Sequence, residues 1–171
     1  MINDVAENFS EDVQYTLIQS DSFGGTITKN RKQYKLDFSG LNEGAIPSQT
    51  SMNLLEGRNL RESDIKGEKN VIIITDKLAN QIFPNGDAIG STIDVKINDT
   101  VQTFSIIGIL EYKVNKLSAA MVSASGQDIS TMVVIPYTTA NRITGNTDNI
   151  SFSFFLYTYN GIDLKDFADR A

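Results

Sequence analysis

The chain has 171 residues, a mass of 18.8 kDa and a net charge of −6, enough for one large domain or two small ones with a real core. It contains no cysteine, histidine or tryptophan. This excludes a Ser-His-Asp triad, a thiol nucleophile, disulfides, and histidine or thiolate metal sites, and the acidic balance makes nucleic acid an unexpected partner. In chain order, Ile2, Val5, Ala6 and Phe9 fall on one face of a short helix. Val13 to Ser20 reads as a strand, and Gly24-Gly25 as a turn signal. Gly25 to Lys29 and Lys32 to Phe38 form a hairpin around Asn30-Arg31, followed by a loop from Gly40 to Pro47.

After Leu54-Leu55-Glu56-Gly57-Arg58 the sequence is polar up to Asn70. Val71 to Ile74 is β-branched at every position, the pattern of a strand buried on both faces. Thr75 or Asp76 can cap the next helix, whose apolar stripe is Leu78, Ala79, Ile82 and Phe83 and whose stop is Pro84-Asn85-Gly86. Ile93, Val95 and Ile97 alternate with polar residues, and Asn98-Asp99 turns into a long strand from Val101 to Leu110. Met132 to Ile135 is a further strand. Pro136 is placed at the first turn of a helix and Gly145 at its C-terminal end. Ile150 to Tyr157 is apolar on both faces, and Asp163 caps a last helix bearing Leu164, Phe167 and Ala168. The count is about eight strands and four short helices, an α+β arrangement. No run approaches 18 apolar residues, so no membrane span is expected within the chain, and no signal peptide pattern is legible.

Catalytic signatures are sparse. There is no Gly-x-x-x-x-Gly-Lys-Ser/Thr and no Gly-x-Gly-x-x-Gly. The acidic pair Glu11/Asp12 reads as a solvated turn rather than an acid–base couple. Asp94, Asp99 and Glu111 could meet to hold calcium, but no dedicated oxygen-rich loop accompanies them. Arg58 and Asp64, six residues apart, are either a bidentate clamp or a surface arginine beside a carboxylate. Phe155, Tyr157 and Tyr159 are either core under a packed helix or an aromatic ligand face.

From Leu54 to Leu156 the motifs stack in a recognisable order. They are Leu55-Glu56-Gly57-Arg58 with Asp64, Val71 to Ile74, Ala79 to Phe83, Ala88-Ile89-Gly90-Ser91-Thr92-Ile93, Phe104 to Leu110, and Ile135-Pro136-Tyr137-Thr138-Thr139 with Arg142 and Gly145. Over about 100 residues this resembles the extracytoplasmic core domain of MacB-type ABC transporter permeases, the branch with FtsX-like membrane regions. The first 50 residues match in broad pattern only. Ser39-Gly40-Leu41 and Ile46-Pro47 stand where the family often has a Gly-Ile/Val and an aromatic, and Ser91-Thr92-Ile93 where it tends to have a lysine before the strand.

The resemblance implies a two-subdomain architecture. A porter-like α/β layer would come from 1–56 plus 145–171, and an inserted, mostly-β, sabre-like subdomain from 57–144. The helices expected at both ends would then be cut near membrane spans. Gly57, Arg58, Asp64, Gly90, Gly108, Pro136 and Gly145 would be structural. Leu117, Met121, Val122 and Gly126, in a segment of small residues, read either as a contact for a partner or substrate or as a plain connector whose apolar residues fold back on the core. No enzyme activity, cofactor or metal is implied. The implied partners are the chain's own transmembrane helices, a second permease copy, an ABC ATPase subunit or domain, and a membrane-fusion adaptor. The implied place is the extracytoplasmic side of the cell membrane. The implied role is coupling cytoplasmic ATP hydrolysis to export of amphipathic molecules such as antimicrobial peptides or macrolides. The alternatives are a related permease that extracts lipoproteins or activates cell-wall hydrolases, and a free-standing extracellular ligand-binding module.

Overall fold

In the computed structural model, residues 13–48, 52–111, 130–145 and 152–159 are described. They form strands β1 (Val13–Ser20), β2 (Phe23–Lys29), β3 (Lys32–Leu41), β4 (Leu54–Gly57), β5 (Val71–Thr75), β6 (Thr92–Ile97), β7 (Thr100–Leu110), β8 (Thr131–Pro136) and β9 (Phe152–Thr158). The helices are α1 (Ala45–Ser48), α2 (Glu62–Lys66), α3 (Asp76–Ile82) and α4 (Tyr137–Thr144). The fold is therefore mixed α and β, dominated by sheet.

Six strands close on themselves. The order β2-β6-β7-β5-β8-β3 ends on a strand that also pairs with β2, so these strands form a ring around one core. Inside it lie Leu36, Phe38, Ile72, Ile74, Val95, Phe104, Ile106, Val133 and Ile135, all buried. Closure removes the sheet edges that would otherwise expose unpaired backbone. A second core containing Leu17, Leu41, Ile46, Leu60, Ile65, Val71, Ile73 and Val134 packs on the outer side. This explains why β5 is buried at every residue: Ile72 and Ile74 face the ring, while Val71 and Ile73 face the outer layer.

Two long strands extend beyond the ring by changing partners. Along β7, β6 pairs with Thr100 to Ser105 and β4 with Gly108 to Leu110. Along β3, β2 pairs with Lys32 to Phe38, and β1 meets the strand only at Gln19↔Leu41. From there β1 leaves to pair antiparallel with β9, from Ser20↔Phe152 to Val13↔Thr158. The result is a two-stranded terminal ribbon attached to one end of the ring.

Several expectations change. Gly24 and Gly25 lie inside β2 instead of forming a turn. A Cβ at Gly25 would sit 2.8 Å from the Phe38 ring and 3.0 Å from Val95, so this glycine serves interior packing. The turn falls at Asn30-Arg31, as the pattern predicts, with φ of 53° and 63°. Gly40 and Leu41 belong to β3, which runs parallel to β8, and Ala45–Ser48 is a helical turn, so the expected loop is shorter. The polar stretch before Asn70 contains α2, and β4 raises the strand count to nine among the described residues. Thr75 rather than Asp76 caps α3, its hydroxyl accepting the Leu78 N–H at 3.4 Å. Pro136 precedes the first turn of α4 as its cap residue and ends β8 opposite Leu41. The expected helices near Ile2 and Asp163, the pair Glu11/Asp12 and the segment bearing Leu117, Met121, Val122 and Gly126 lie outside the described residues.

Candidate functional site

Where β4 ends, Gly57 has φ +78°, and a Cβ there would lie 2.3 Å from the Ile107 carbonyl oxygen. Only glycine fits that turn. Its register partner Gly108 is equally restricted, because a Cβ would meet the Arg58 carbonyl oxygen at 2.7 Å. The two glycines let β4 press against β7 and deliver Arg58 onto α2, with the Arg58 N–H donating to the Ile107 carbonyl at 2.8 Å.

The Arg58 guanidinium donates to both oxygens of Asp64, at 2.6 and 3.3 Å. The same carboxylate accepts the Arg61 N–H at 3.0 Å and the Lys69 ammonium at 3.3 Å. The Asp64 side chain is 1% exposed, while that of Arg58 is 32% exposed. Burial pushes the Asp64 carboxyl up, but the Arg58 hydrogen bond, the Arg61 N–H, the Arg58 charge and the Lys69 hydrogen bond together hold it below its ordinary value. This cluster fixes α2 and the segment up to Asn70. That segment in turn holds α4: Thr138 donates to the Ile65 carbonyl at 2.7 Å, Thr139 to the Lys69 carbonyl at 2.9 Å, and Arg142 to Asn70 Oδ1 at 2.6 Å.

The start of α4 rests on β3 at Gly40. A Cβ there would lie 2.9 Å from the Tyr137 Cα and 2.7 Å from the Ala140 Cβ. Two residues on, Asn42 joins the ring to the ribbon. Its side chain accepts the Tyr15 hydroxyl at 2.8 Å and the Ile18 N–H at 3.1 Å, and donates to the Thr16 carbonyl at 2.8 Å. Its own N–H donates to the Ile18 carbonyl at 3.2 Å. Asn42 thus replaces a missing length of β1–β3 ladder. Burial pushes the Tyr15 phenol far above its ordinary value against the opposing Asn42 hydrogen bond, and Glu43 adds to the rise, so the hydroxyl stays protonated and donates. Gly44 makes room for the Tyr15 ring, which would lie 2.4 Å from a Cβ. Asn59, next to Arg58, donates to the Glu43 carbonyl at 2.9 Å. A continuous set of contacts therefore runs from the Asp64 cluster through Asn59 and α4 to the base of the ribbon.

The structure brings Gly57, Arg58, Asp64 and Gly108 together. Gly90 and Gly145 stand apart, each with positive φ and open space around its Cβ position; Gly145 ends α4. Asp94 accepts the Thr103 hydroxyl at 2.6 Å in mid-strand. Asp99 and Glu111 bracket the two ends of β7, too far apart to share an ion. No cluster of three metal-ligating residues occurs among the described residues. Phe155, Tyr157 and Tyr159 are 49%, 39% and 49% exposed, so they are not core. Tyr15, Gly40, Asn42 and Asn59 were not legible as site residues. The only local hint is Gly40 and Gly44 flanking Asn42.

The profile of the MacB-like periplasmic core domain matches residues 4–171. The chain belongs to this family. The MacB-like core domain is the extracytoplasmic part of ABC transporter permeases of this type, which work in the membrane with an ATPase partner. Among solved structures, the periplasmic region of MacB from Actinobacillus actinomycetemcomitans superposes with a TM-score of 0.70 at 18% identity, over 98% of this chain and 69% of that one. The extracellular domain of the noncanonic ABC-type transporter YknZ from Gram-positive bacteria gives 0.66 at 16% identity, over 96% and 74%. A domain assigned to a permease of Porphyromonas gingivalis gives 0.59 at 14% identity, over 96% and 65%. These likenesses concern the fold. The search of curated proteins finds no match. No helix among the described residues is long and apolar enough to cross a membrane.

Proposed function

We propose that this MacB-like core domain is a non-catalytic extracellular transmitter, coupling cytoplasmic ATP hydrolysis to export of amphipathic substrates such as antimicrobial peptides or macrolides. The observation that carries the reading is the terminal ribbon. Val13 and Thr158 are register partners, so the chain enters and leaves the described fold side by side, the geometry suited to a domain set between two membrane helices. Helix motion driven by an ATPase, fused or separate, would pull on β1 and β9 together. The Asn42 joint and the Arg58–Asp64 cluster would carry that motion into the ring.

In this reading 1–56 with 145–171 act as the porter-like part and 57–144 as the inserted one. The β2–β3 hairpin is shared between them, since it pairs with β6 and β8. Leu117, Met121 and Val122 serve as contacts toward an adaptor or substrate. The test uses the full permease with 21–151 replaced by a short turn between Ser20 and Phe152, which are register partners. ATP hydrolysis should persist while export is abolished. Export at the original rate would overturn the proposal.

A further inference from the structure

A cleft of about 620 Å³ opens on the outer face of the ring over β2, lined in part by Gly24, Thr26, Lys35, Asp37, Lys96 and Asn98. The register explains how it is built. Thr26 is paired with Lys35 on one side and with Lys96 on the other, so the three side chains leave the sheet on one face, in a row. Strands lie ~4.8 Å apart, which puts the two lysine Cα atoms roughly 10 Å apart across the threonine. Their flexible four-carbon stems let both ammonium groups lean over it. Gly24 keeps the floor open, since a Cβ there would meet nothing nearer than the Leu36 carbonyl oxygen at 3.9 Å.

Most other basic side chains of the described residues are already engaged. Arg58 and Lys69 hold Asp64, Lys66 pairs with Glu62, and Arg142 with Glu68. Lys29 and Lys32 lie over the rings of Phe83 and Tyr34. Lys35 and Lys96 are exposed and have no carboxylate or ring partner among the described residues. Two cations without an ion-pair partner among the described residues therefore flank one hydroxyl, in a cleft that holds one carboxylate, Asp37.

We infer that this cleft binds a single phosphate group, with Lys35 and Lys96 supplying charge and the Thr26 hydroxyl a hydrogen bond. A tetrahedral oxyanion presents oxygens toward donors arriving from both sides and from below, whereas a carboxylate presents two oxygens in one plane. Asp37 lines the same cleft, and the acidic chain repels extended polyanions. One phosphate on a polar carrier fits better than a polyphosphate. A lipid headgroup and a soluble phosphorylated compound share that chemistry.

Titration of the chain with inorganic phosphate, followed by amide chemical shifts, tests the site. Saturable shifts are expected at Gly24, Thr26 and Lys96, with a dissociation constant on the order of 10 mM, as two solvent-exposed charge contacts and one hydrogen bond allow. The double variant Lys35→Gln/Lys96→Gln should weaken binding at least tenfold at an unchanged melting temperature. Arg31→Gln/Lys66→Gln removes the same charge elsewhere and should leave binding intact. Unsaturable shifts at all basic residues, or equal losses in the two double variants, would overturn the inference. Flotation with phosphatidylglycerol-containing vesicles then assigns the source. Vesicle capture that depends on Lys35 and Lys96 points to a headgroup; saturable phosphate binding without capture points to a soluble ligand.

Discussion

Asp64 is held by donors from three positions along the chain: Arg58, the Arg61 N–H and Lys69. Its carboxyl is held below its ordinary value in the fold. The stability it contributes is therefore present above the unfolded carboxyl pKa, near 4, and is lost as pH falls through the lower folded pKa. Urea titrations from pH 7 to pH 2 should show a steeper acid loss for the wild type than for Asp64→Asn, which starts less stable; parallel curves would contradict this. Arg58→Ala should cost about 1–3 kcal/mol, because Lys69 and the Arg61 N–H continue to satisfy part of the buried charge. A change below about 0.5 kcal/mol in a denaturant titration would reduce the pair to a surface contact. Gly40→Ala should cost about 1–3 kcal/mol by overpacking against Tyr137 and Ala140, while Gly24→Ala, with open space, should be near neutral in the same titration. Arg58 and Asp64 stand out in the sequence because a guanidinium and a carboxylate six residues apart can form a bidentate pair. Asn42 does not, because its partners Tyr15, Thr16 and Ile18 lie 24 to 27 residues away, and only the return of β1 along β3 assembles them.

Elements with a strong period were legible, and those defined by tertiary contact were not. β6 alternates exposed and buried residues, as Ile93, Val95 and Ile97 indicate, and β5 is buried throughout. β4 is mostly exposed and only four residues long, so no hydrophobic period marks it. α2 is a five-residue polar helix whose place depends on Asp64. Gly25 looks like a turn residue until Phe38 and Val95 close over it. The ribbon is the element whose attachment matters most. Asn42→Ala leaves the Tyr15 hydroxyl and the Ile18 N–H without their partner, a loss of about 2–4 kcal/mol over the two groups. Hydrogen exchange should show β1 and β9 losing protection well before β5 and β7. Uniform loss across all strands would mean that ribbon and ring unfold as one unit.

At the scale of the whole molecule, ring closure was beyond the reach of sequence patterns. It depends on β2 meeting β6 at Thr26↔Lys96, a pairing about 70 residues apart in the chain that no local signal encodes. The count of strands and helices supplied the α+β class and the family resemblance the extracytoplasmic setting, whereas the split between ring and terminal ribbon comes from the pairing of β3 with both β2 and β1. In the proposed coupling role, force enters through the ribbon and reaches the ring at Asn42. The most direct measurement is the amount of substrate exported per ATP hydrolysed by the reconstituted transporter, wild type against Asn42→Ala, below the melting temperature of the variant domain. Export per ATP should fall at least fivefold with ATP hydrolysis unchanged. An unchanged ratio would contradict the account.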